Sequence, residues 1–360
     1  MKVSSSRIDT WLAEQVWTTG SYDDRCAPGV STGHLRTRIV LAKAPRVSQR
    51  SLAVGAETSS TEERCVREEI RRIQEVMERE AYVTDRQIAT AVHLALELGK
   101  PLLVEGHPGV GKTDIAKVLA QVLQVDLIRL QCYEGLDAST ALYEWNYPKQ
   151  LLHIKLEERS ATPVAQREAE LFSEAFLLKR PLLAAITHQG RAPVLLIDEV
   201  DRADEEFEAF LLEVLSDFQV TIPELGTIRA QARPVVVLTS NRSRELSEAL
   251  RRRCLYLWID FPSFEKELRI VRGKVPGLEE RLAVQVAAFM QSLRRVRLTK
   301  TPGIAETLDW AAALCALHAD HLDEGLVRET MGCFLKDESD FRELESELAA
   351  GRLPAMASLA

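Results

Sequence analysis

The spacing of hydrophobic residues changes along the chain, and each change marks a different predicted structure. Residues 1–60 have no regular spacing, so we expect a poorly ordered N-terminal extension. From Thr61, apolar residues recur every three or four positions and predict an amphipathic helix, with Val66, Ile70, Ile73 and Met77 on its apolar face. A second helix is predicted from Thr84, which fits a capping box with Gln87, to a C-cap at Gly99.

Between residues 100 and 262, short apolar runs alternate with longer helical patterns. The apolar runs predict buried strands at 102–104, 127–132, 194–197, 235–238 and 254–259. The helical patterns lie at 114–123, 168–188 and 204–218. Residues 133–168 are expected to be irregular, and residues 219–230 to form a hairpin. Strands that alternate with helices predict an α/β fold with a doubly wound parallel sheet.

The pattern is entirely helical after Pro262. Helices are predicted at 264–273, 278–295, 303–318 and 322–336. We therefore expect three parts in the chain: an extension over 1–60, an α/β domain over 61–262 and a smaller all-α domain over 263–350.

One loop carries the most specific chemical signal. Directly after the strand at 102–104, the chain has the pattern G-x-x-x-x-G-K-[ST], with Gly106, His107, Pro108, Gly109, Val110, Gly111, Lys112 and Thr113. A glycine-rich turn that opens a helix directs backbone N–H groups at phosphates, and the helix N-terminus adds partial positive charge. Lys112 is expected to reach the β- and γ-phosphates of a nucleotide, and the Thr113 hydroxyl to bind Mg²⁺.

Two acidic residues end the apolar strand at 194–197. A carboxylate at the end of a buried strand beside a phosphate loop can hold Mg²⁺, and we assign that role to Asp198. Glu199 is the candidate general base for a water molecule that attacks the γ-phosphate. Helix-start acids that cap the next segment are the alternative interpretation of this pair.

The following strand ends at Asn241, which is expected to point into the same crevice. Asn241 could orient the attacking water or contact the γ-phosphate; a turn-forming Ser-Asn pair is the alternative. Three arginines, Arg251, Arg252 and Arg253, follow before the strand at 254–259. They form either a surface basic cluster or a source of an arginine that acts in a neighbouring subunit on the transferring phosphoryl group.

Composition narrows the class of protein. The 360 residues are enough for two domains, and a net charge of −8 argues against nucleic-acid binding through a basic surface. The six cysteines are far apart and form no C-x-x-C pair, which indicates a reducing, cytoplasmic location. No run of about 20 apolar residues is available to cross a membrane. A secretory signal is not expected, because charges interrupt the N-terminus.

Together these motifs resemble the AAA+ ATPases, and among them the MoxR family. The motifs that carry the resemblance are the loop at 106–113, the strand and acids at 194–199, Asn241, the segment at 250–253 and the hairpin at 219–230. The segments 131–137 and 301–310 are similar to the MoxR subgroup linked to maturation of carbon monoxide dehydrogenase-type molybdenum enzymes. The resemblance implies an ATP-hydrolysing chaperone that remodels a partner protein, with ATP and Mg²⁺ bound between subunits of a hexameric ring.

The resemblance also implies a partner with a von Willebrand factor A domain and a metalloenzyme client, and it implies neither a membrane nor a nucleic-acid partner. The arginine that acts in trans normally precedes Phe in this superfamily. Cys254 stands at that position here, so Arg253 is the best match and Arg252 the second. Many relatives also have an arginine, called sensor 2, where this chain has Gly303. Arg297 or Lys300 are the candidate substitutes, and looser coupling of the helical lid to the nucleotide is expected.

Two further groups of residues stay outside this assignment. His318 and His321 lie three positions apart on a predicted helix, but a solvated helix face explains them without a metal. Tyr143, Trp145 and Tyr147 alternate, as in a gripping surface or one packed face of a hairpin. Two other functions use the same loop and stay open: a small-molecule kinase and a DNA-associated NTPase motor.

Overall fold

A computed structural model describes residues 50–157 and 163–351, and the chain divides into two compact units, residues 1–73 and 74–360. The first described helix, α1, spans Arg50–Arg79 and so begins before the predicted Thr61. Alanine, leucine and glutamate at positions 52–57 favour helix, and extending an existing helix costs little. The expectation for residues 1–49 lies outside the described residues. No helix in the described ranges is both long and apolar enough to cross a membrane.

The N-cap of helix α2, Arg86–Leu98, lies one residue later than the predicted cap. The N-cap is Asp85, whose carboxylate accepts a hydrogen bond from the Ile88 N–H at 2.9 Å. The predicted capping box of Thr84 and Gln87 is therefore wrong, because the aspartate next to Thr84 is an equally good or better cap. Gly99 ends the helix in the left-handed region, as predicted.

A five-stranded sheet forms the centre of the second unit, and every pairing in it is parallel. Its strands are β1 (Leu102–Gly106), β2 (Leu127–Gln131), β5 (Val194–Asp198), β8 (Val235–Ser240) and β9 (Leu255–Ile259). Their spatial order is β2-β5-β8-β1-β9, so the chain crosses from β1 to the edge at β2, returns through β5 and β8, and ends at β9 on the other side of β1. This arrangement confirms the predicted doubly wound parallel sheet. Helices α3 (Lys112–Leu123) and α8 (Glu205–Asp217) follow β1 and β5.

The segment between β2 and β5 differs most from the prediction. In its described residues, 132–157 and 163–193, the structure has four short α-helices and a two-stranded antiparallel pair, where an irregular segment and one long helix were expected. They are α4 (Ala138–Leu142), β3 (Tyr143–Trp145), α5 (Tyr147–Leu156), α6 (Val164–Leu171), β4 (Leu177–Lys179) and α7 (Pro181–Ile186). β3 and β4 are distant in sequence, so the pairing that fixes both strands has no local periodicity to reveal it.

The predicted hairpin before β8 is confirmed as the antiparallel pair β6 (Gln219–Ile222) and β7 (Gly226–Arg229). A short helix, α9 (Glu248–Arg253), connects β8 to β9.

After β9 the second unit is helical, as predicted. The helices are α10 (Phe264–Lys274), α11 (Glu280–Leu293), α12 (Ile304–Ala316), α13 (Glu324–Thr330) and α14 (Glu338–Ala349). The prediction missed α14 and placed His318 and His321 on a helix. In the structure α12 ends at Ala316, and His318 adopts a positive φ of 54° in the following loop. Trp310, Phe289 and Phe334 form a buried aromatic cluster in the core of this helical region.

Candidate functional site

The phosphate loop runs from the end of β1 into the first turn of α3, and two nearby strands contribute polar groups. β8 pairs with β1, β5 pairs with β8, and both strands end at the same edge of the sheet as the loop. Gly109 has a φ of +71°, which favours glycine and lets the backbone turn tightly within the loop. The predicted convergence of loop residues, Asp198, Glu199 and Asn241 is therefore what the strand order produces.

Lys112 lies inside the loop with only 6% of the residue exposed. Its Nζ donates to the carbonyl oxygens of Gly106 at 2.9 Å and His107 at 2.6 Å. Burial lowers the pKa of Lys112 to about 8, although the carboxylates of Asp201, Asp198 and Glu199 act in the opposite direction. An ammonium group that is poorly hydrated and close to the loop amides is well placed to bind phosphate oxygens.

Asp198 ends β5 and is 2% exposed. Its Oδ1 accepts hydrogen bonds from the Thr113 hydroxyl at 3.0 Å and the Thr239 hydroxyl at 2.5 Å. Its Oδ2 contacts Nη2 of Arg129, from β2, at 2.5 Å. The residue predicted to share Mg²⁺ with Thr113 is thus in direct contact with it.

Glu199 has a positive φ of 55°, an uncommon conformation for a residue with a side chain. Its N–H donates to the Thr239 hydroxyl at 2.9 Å, which helps to hold this conformation. The carboxylate accepts from Gln131 Nε2 at 3.1 Å, Arg202 Nη1 at 3.2 Å and Asn241 Nδ2 at 3.4 Å. Backbone strain of this kind, fixed by surrounding hydrogen bonds, is concentrated at functional sites.

Asn241 is held at the site by Asp201, which the sequence analysis did not single out. Asp201 accepts from the Asn241 N–H at 3.2 Å and from the N–H and hydroxyl of Ser243 at 2.8 and 2.6 Å. Burial alone would raise the pKa of Asp201, but these hydrogen bonds outweigh it and the pKa lies below its usual value. An ionised Asp201 therefore fixes the turn that carries Asn241.

Arginines 251–253 lie on the last turn of α9, and none of them lines the cavity at the phosphate loop. Arg252 pairs with Glu248 on its own helix. Arg253 donates from Nε to the Ser216 hydroxyl at 3.1 Å, and the Arg251 guanidinium lies 5.5 Å from the centre of the Tyr256 ring. Within one chain, these side chains take no part in the site.

His107 also lies apart from the polar cluster, although it belongs to the loop. Its ring stacks on Phe261 at a centroid distance of 4.4 Å, and Nε2 lies 3.7 Å from the Asp260 carboxylate. This packing indicates that His107 helps to fix the backbone of the loop.

A cavity of about 320 Å³ opens beside the loop, and residues from the sheet edge and from α12 line it. The sheet side has Asp198, Glu199, Thr239 and Asn241, and the α12 side has Ile304, Ala305 and Leu308. A smaller cavity adjoins it, with an apolar part between Tyr82, Val83, Ile259, Ile270, Ile304 and Leu308 and with the charged residues Asp114, Asp260, Lys266 and Lys274 in the rest of its lining. The pair suits a ligand with a charged end and a flat apolar end.

The oxygen ligands beside the loop also fit a magnesium ion. The Thr113 hydroxyl and the Asp198 carboxylate offer hard oxygen ligands in a cavity that the loop and Lys112 also line. Mg²⁺ prefers one or two such ligands together with phosphate oxygens and water.

The candidate substitutes for a sensor 2 arginine are elsewhere. Lys300 Nζ lies 3.7 Å from Asp337, and neither Lys300 nor Arg297 lines the cavity. Gly303, however, lies directly against the loop: a Cβ built on it would be 2.6 Å from the Pro108 carbonyl oxygen. The start of α12 therefore touches the phosphate loop without a side chain at position 303, and the expectation of a loosely coupled lid stays a prediction.

Comparison with known proteins agrees with this geometry. Residues 101–254 match the AAA domain of the dynein-related subfamily. The match extends from the residue before β1 to the end of α9, so it includes the loop, Asp198, Glu199, Asn241 and the three arginines.

This chain is similar to several known proteins at low sequence identity. It is 24% identical over 281 residues to the Holliday junction branch migration complex subunit RuvB of Thermotoga maritima, covering 74% of this chain and 71% of RuvB. It is 25% identical to the gas vesicle ATPase GvpN of Haloferax mediterranei, covering 81% and 83%. It is 24% identical to the denitrification regulatory protein NirQ of Pseudomonas aeruginosa, covering 58% and 73%. A solved structure of the RuvB motor aligns with a TM-score of 0.42 at 21% identity, covering 78% and 77% of the two chains.

Sequence reasoning missed five side chains that contact Asp198, Glu199 or Asn241: Arg129, Gln131, Asp201, Arg202 and Thr239. Thr239, Asp201 and Gln131 stand at or just beyond the carboxyl ends of strands, so their position in a parallel sheet was an available signal.

The structure also shows where the three aromatic residues at 143–147 lie. Trp145 is buried and Tyr143 partly buried on β3, whereas Tyr147 is exposed on α5.

Proposed function

We propose that this protein binds ATP together with Mg²⁺ and hydrolyses the bond to the γ-phosphate. The observation that carries the proposal is the hydrogen-bonded chain from Thr113 through Asp198 and Thr239 to Glu199, which ends beside Asn241 in one cavity. A phosphate loop alone supports binding. A carboxylate at hydrogen-bonding distance of an amide, in the same cavity, supports hydrolysis.

In this proposal each side chain has a separate task. The loop N–H groups and Lys112 bind the phosphates, and Thr113 and Asp198 hold Mg²⁺, which when bound neutralises phosphate charge. Glu199 accepts a proton from the attacking water, and Asn241 orients that water. The apolar part of the smaller cavity, beside Tyr82 and Leu308, takes the base.

The test separates binding from chemistry. Lys112→Ala is expected to lose most nucleotide affinity. Glu199→Gln keeps the size and shape of the side chain but replaces one carboxylate oxygen with an NH2 group that cannot take a proton. It should therefore bind nucleotide like the parent and lose about 10²–10⁴ in turnover, the usual contribution of a general base. Nucleotide affinity is measured with a fluorescent ATP analogue, and turnover by phosphate release. Parent-like turnover of Glu199→Gln would contradict the role given to Glu199.

The finer assignment within AAA proteins is also part of the proposal. We infer a MoxR-type chaperone that works in the cytoplasm as a hexameric ring, with an α/β domain over 61–262 and a helical lid over 263–350. It would remodel a partner, with a von Willebrand factor A protein and a metalloenzyme as partner and client. The motifs named above and the similarity to GvpN and NirQ support this assignment.

A DNA-associated motor is the second candidate, because RuvB, a subunit of a Holliday junction branch migration complex, is similar to this chain over 74% of its length. The net charge of −8 favours the chaperone. One experiment discriminates: the ATPase rate is measured with four-way junction DNA, and separately with a purified von Willebrand factor A protein. If DNA stimulates the ATPase rate at moderate salt, the DNA-associated motor replaces the chaperone as the proposed function.

A further inference from the structure

The contact between α12 and the phosphate loop is made by backbone atoms. The N–H groups of Ile304 and Ala305, the first two residues of α12, both donate to the Gly109 carbonyl oxygen, at 2.9 and 3.1 Å. We call this pair of hydrogen bonds the latch. A helix N-terminus has N–H groups without partners inside the helix, and here the loop carbonyl satisfies two of them.

The latch fixes the orientation of one peptide in the loop. In a planar trans peptide the C=O and the following N–H point in opposite directions. Because the Gly109 carbonyl points at α12, the Val110 N–H is turned to the other side of the peptide, away from the lid helix. The position of α12 and the direction of a phosphate-binding amide are thereby linked.

Close packing leaves room only for glycine on both sides of the latch. A Cβ at Gly303 would lie 2.6 Å from the Pro108 oxygen and 2.9 Å from Gly109 Cα. A Cβ at Gly109 would lie 2.8 Å from Oε2 of Glu306, which itself accepts the Gly303 N–H. Gly303 has φ −87° and ψ −165°, an extended backbone that alanine adopts freely, so the constraint at Gly303 is contact with the loop alone.

A buried ion pair holds the segment that forms the latch. The Arg294 guanidinium binds both carboxylate oxygens of Glu267, at 2.6 and 2.7 Å, and the two side chains are 6% and 0% exposed. The same guanidinium donates to the carbonyl oxygens of Pro302 at 2.9 Å and Gly303 at 3.3 Å. Thr307 completes the group by donating to Glu267 at 2.8 Å. The fork of arginine is needed for this set of contacts, because lysine cannot make them all.

We propose that the latch couples the helical lid to nucleotide binding through the backbone, with Arg294 as the positioning residue that holds it, in place of a sensor 2 side chain at 303. The inference rests on the proposed nucleotide binding. It assigns to Gly303 and Arg294 a role in retaining nucleotide that neither the loop motif nor the acidic pair provides.

The test uses Gly303→Ala and Arg294→Lys in the full-length chain. Gly303→Ala adds one methyl group against the loop and removes no polar atom. Its matched control is Gly273→Ala on α10, where a Cβ would meet nothing within 4 Å. The control for Arg294→Lys is Arg272→Lys, whose exposed guanidinium pairs with Glu280. Affinity and dissociation rate are measured with a fluorescent, non-hydrolysable ATP analogue.

We expect the Kd to rise by roughly tenfold in both latch variants, mainly through faster dissociation, since coupling between linked sites is commonly 5–150-fold. Both controls should bind like the parent, and circular dichroism without nucleotide should show that the variants and the controls are folded. A folded Gly303→Ala or Arg294→Lys protein that binds with the parent Kd and dissociation rate would overturn the proposal.

Removing the fork from a buried ion pair can destabilise a protein strongly, so a measurement on the parent chain stands beside the variants. Nucleotide should slow hydrogen exchange at the Ile304 and Ala305 amides at least tenfold more than at Leu314, which is buried in the lid core. Equal slowing at all three amides would overturn the latch even if no variant folds. If the parent itself binds no nucleotide, the proposed function fails instead, and the two failures are distinct.

Discussion

At the scale of single residues, the site works through polar side chains that share partners. Thr239 contacts both Asp198 and the Glu199 N–H, and Asn241 reaches the Glu199 carboxylate while Asp201 holds its backbone. Each group therefore constrains the next. Such networks lose more when one member is removed than pairwise contacts suggest.

Asn241→Ala tests this network directly. The substitution removes the amide that lies 3.4 Å from Glu199 Oε1, while the backbone hydrogen bond to Asp201 remains. Turnover should fall about 10²-fold, the usual loss for one orienting group at a reacting water, and nucleotide affinity should change less than threefold. Steady-state ATPase rates and analogue binding provide both numbers.

The matched control is Asn146→Ala. Asn146 caps α5 by accepting the Lys149 N–H at 3.1 Å and does not line the cavity. Its removal should cost about 1 kcal/mol of stability and leave turnover unchanged. An equal loss of turnover in both variants would show that the effect of Asn241→Ala is not specific to the site.

At the scale of elements, short connections decide where the chemistry lies. α9 is only six residues long and carries Arg251–Arg253 away from the cavity of its own chain, on an exposed turn. α12 does the opposite and brings its N-terminus onto the phosphate loop. The arginines are thus available to another molecule, whereas the lid helix is committed to its own site.

At the scale of the whole molecule, the proposal requires more than one chain for full activity. Arg253→Ala should keep parent-like nucleotide affinity and lose about 10³-fold in turnover, because an arginine supplied by a neighbour stabilises charge in the transition state. Arg251→Ala, on the same turn, is the control and should stay close to the parent.

Mixing variants tests the origin of that arginine. Arg253→Ala and Glu199→Gln chains, each inactive alone, should regain part of the activity when they are assembled together with ATP. At some interfaces the intact Glu199 of one chain then lies beside the intact Arg253 of the other. Size-exclusion chromatography with and without ATP checks the assembly. Mixed assemblies with no more activity than the separate variants would contradict the placement of Arg253 in trans.

The sequence determined the parts of this protein that depend on local pattern. The buried strands, the parallel sheet, the hairpin before β8 and the phosphate loop all follow from runs, periods and spacings of neighbouring residues. The strand ends also told which polar residues would meet, because parallel strands place their carboxyl ends at one edge.

Only the tertiary structure decided what depends on distant residues. The pairing of β3 with β4, the hold of Arg129 and Gln131 on the two acids, and the latch join segments far apart in the chain. Gly303 shows the difference most clearly. In the sequence it stands where many relatives have an arginine. In the fold it is the one residue type small enough to let α12 reach the loop, because a single Cβ there would overlap the Pro108 carbonyl.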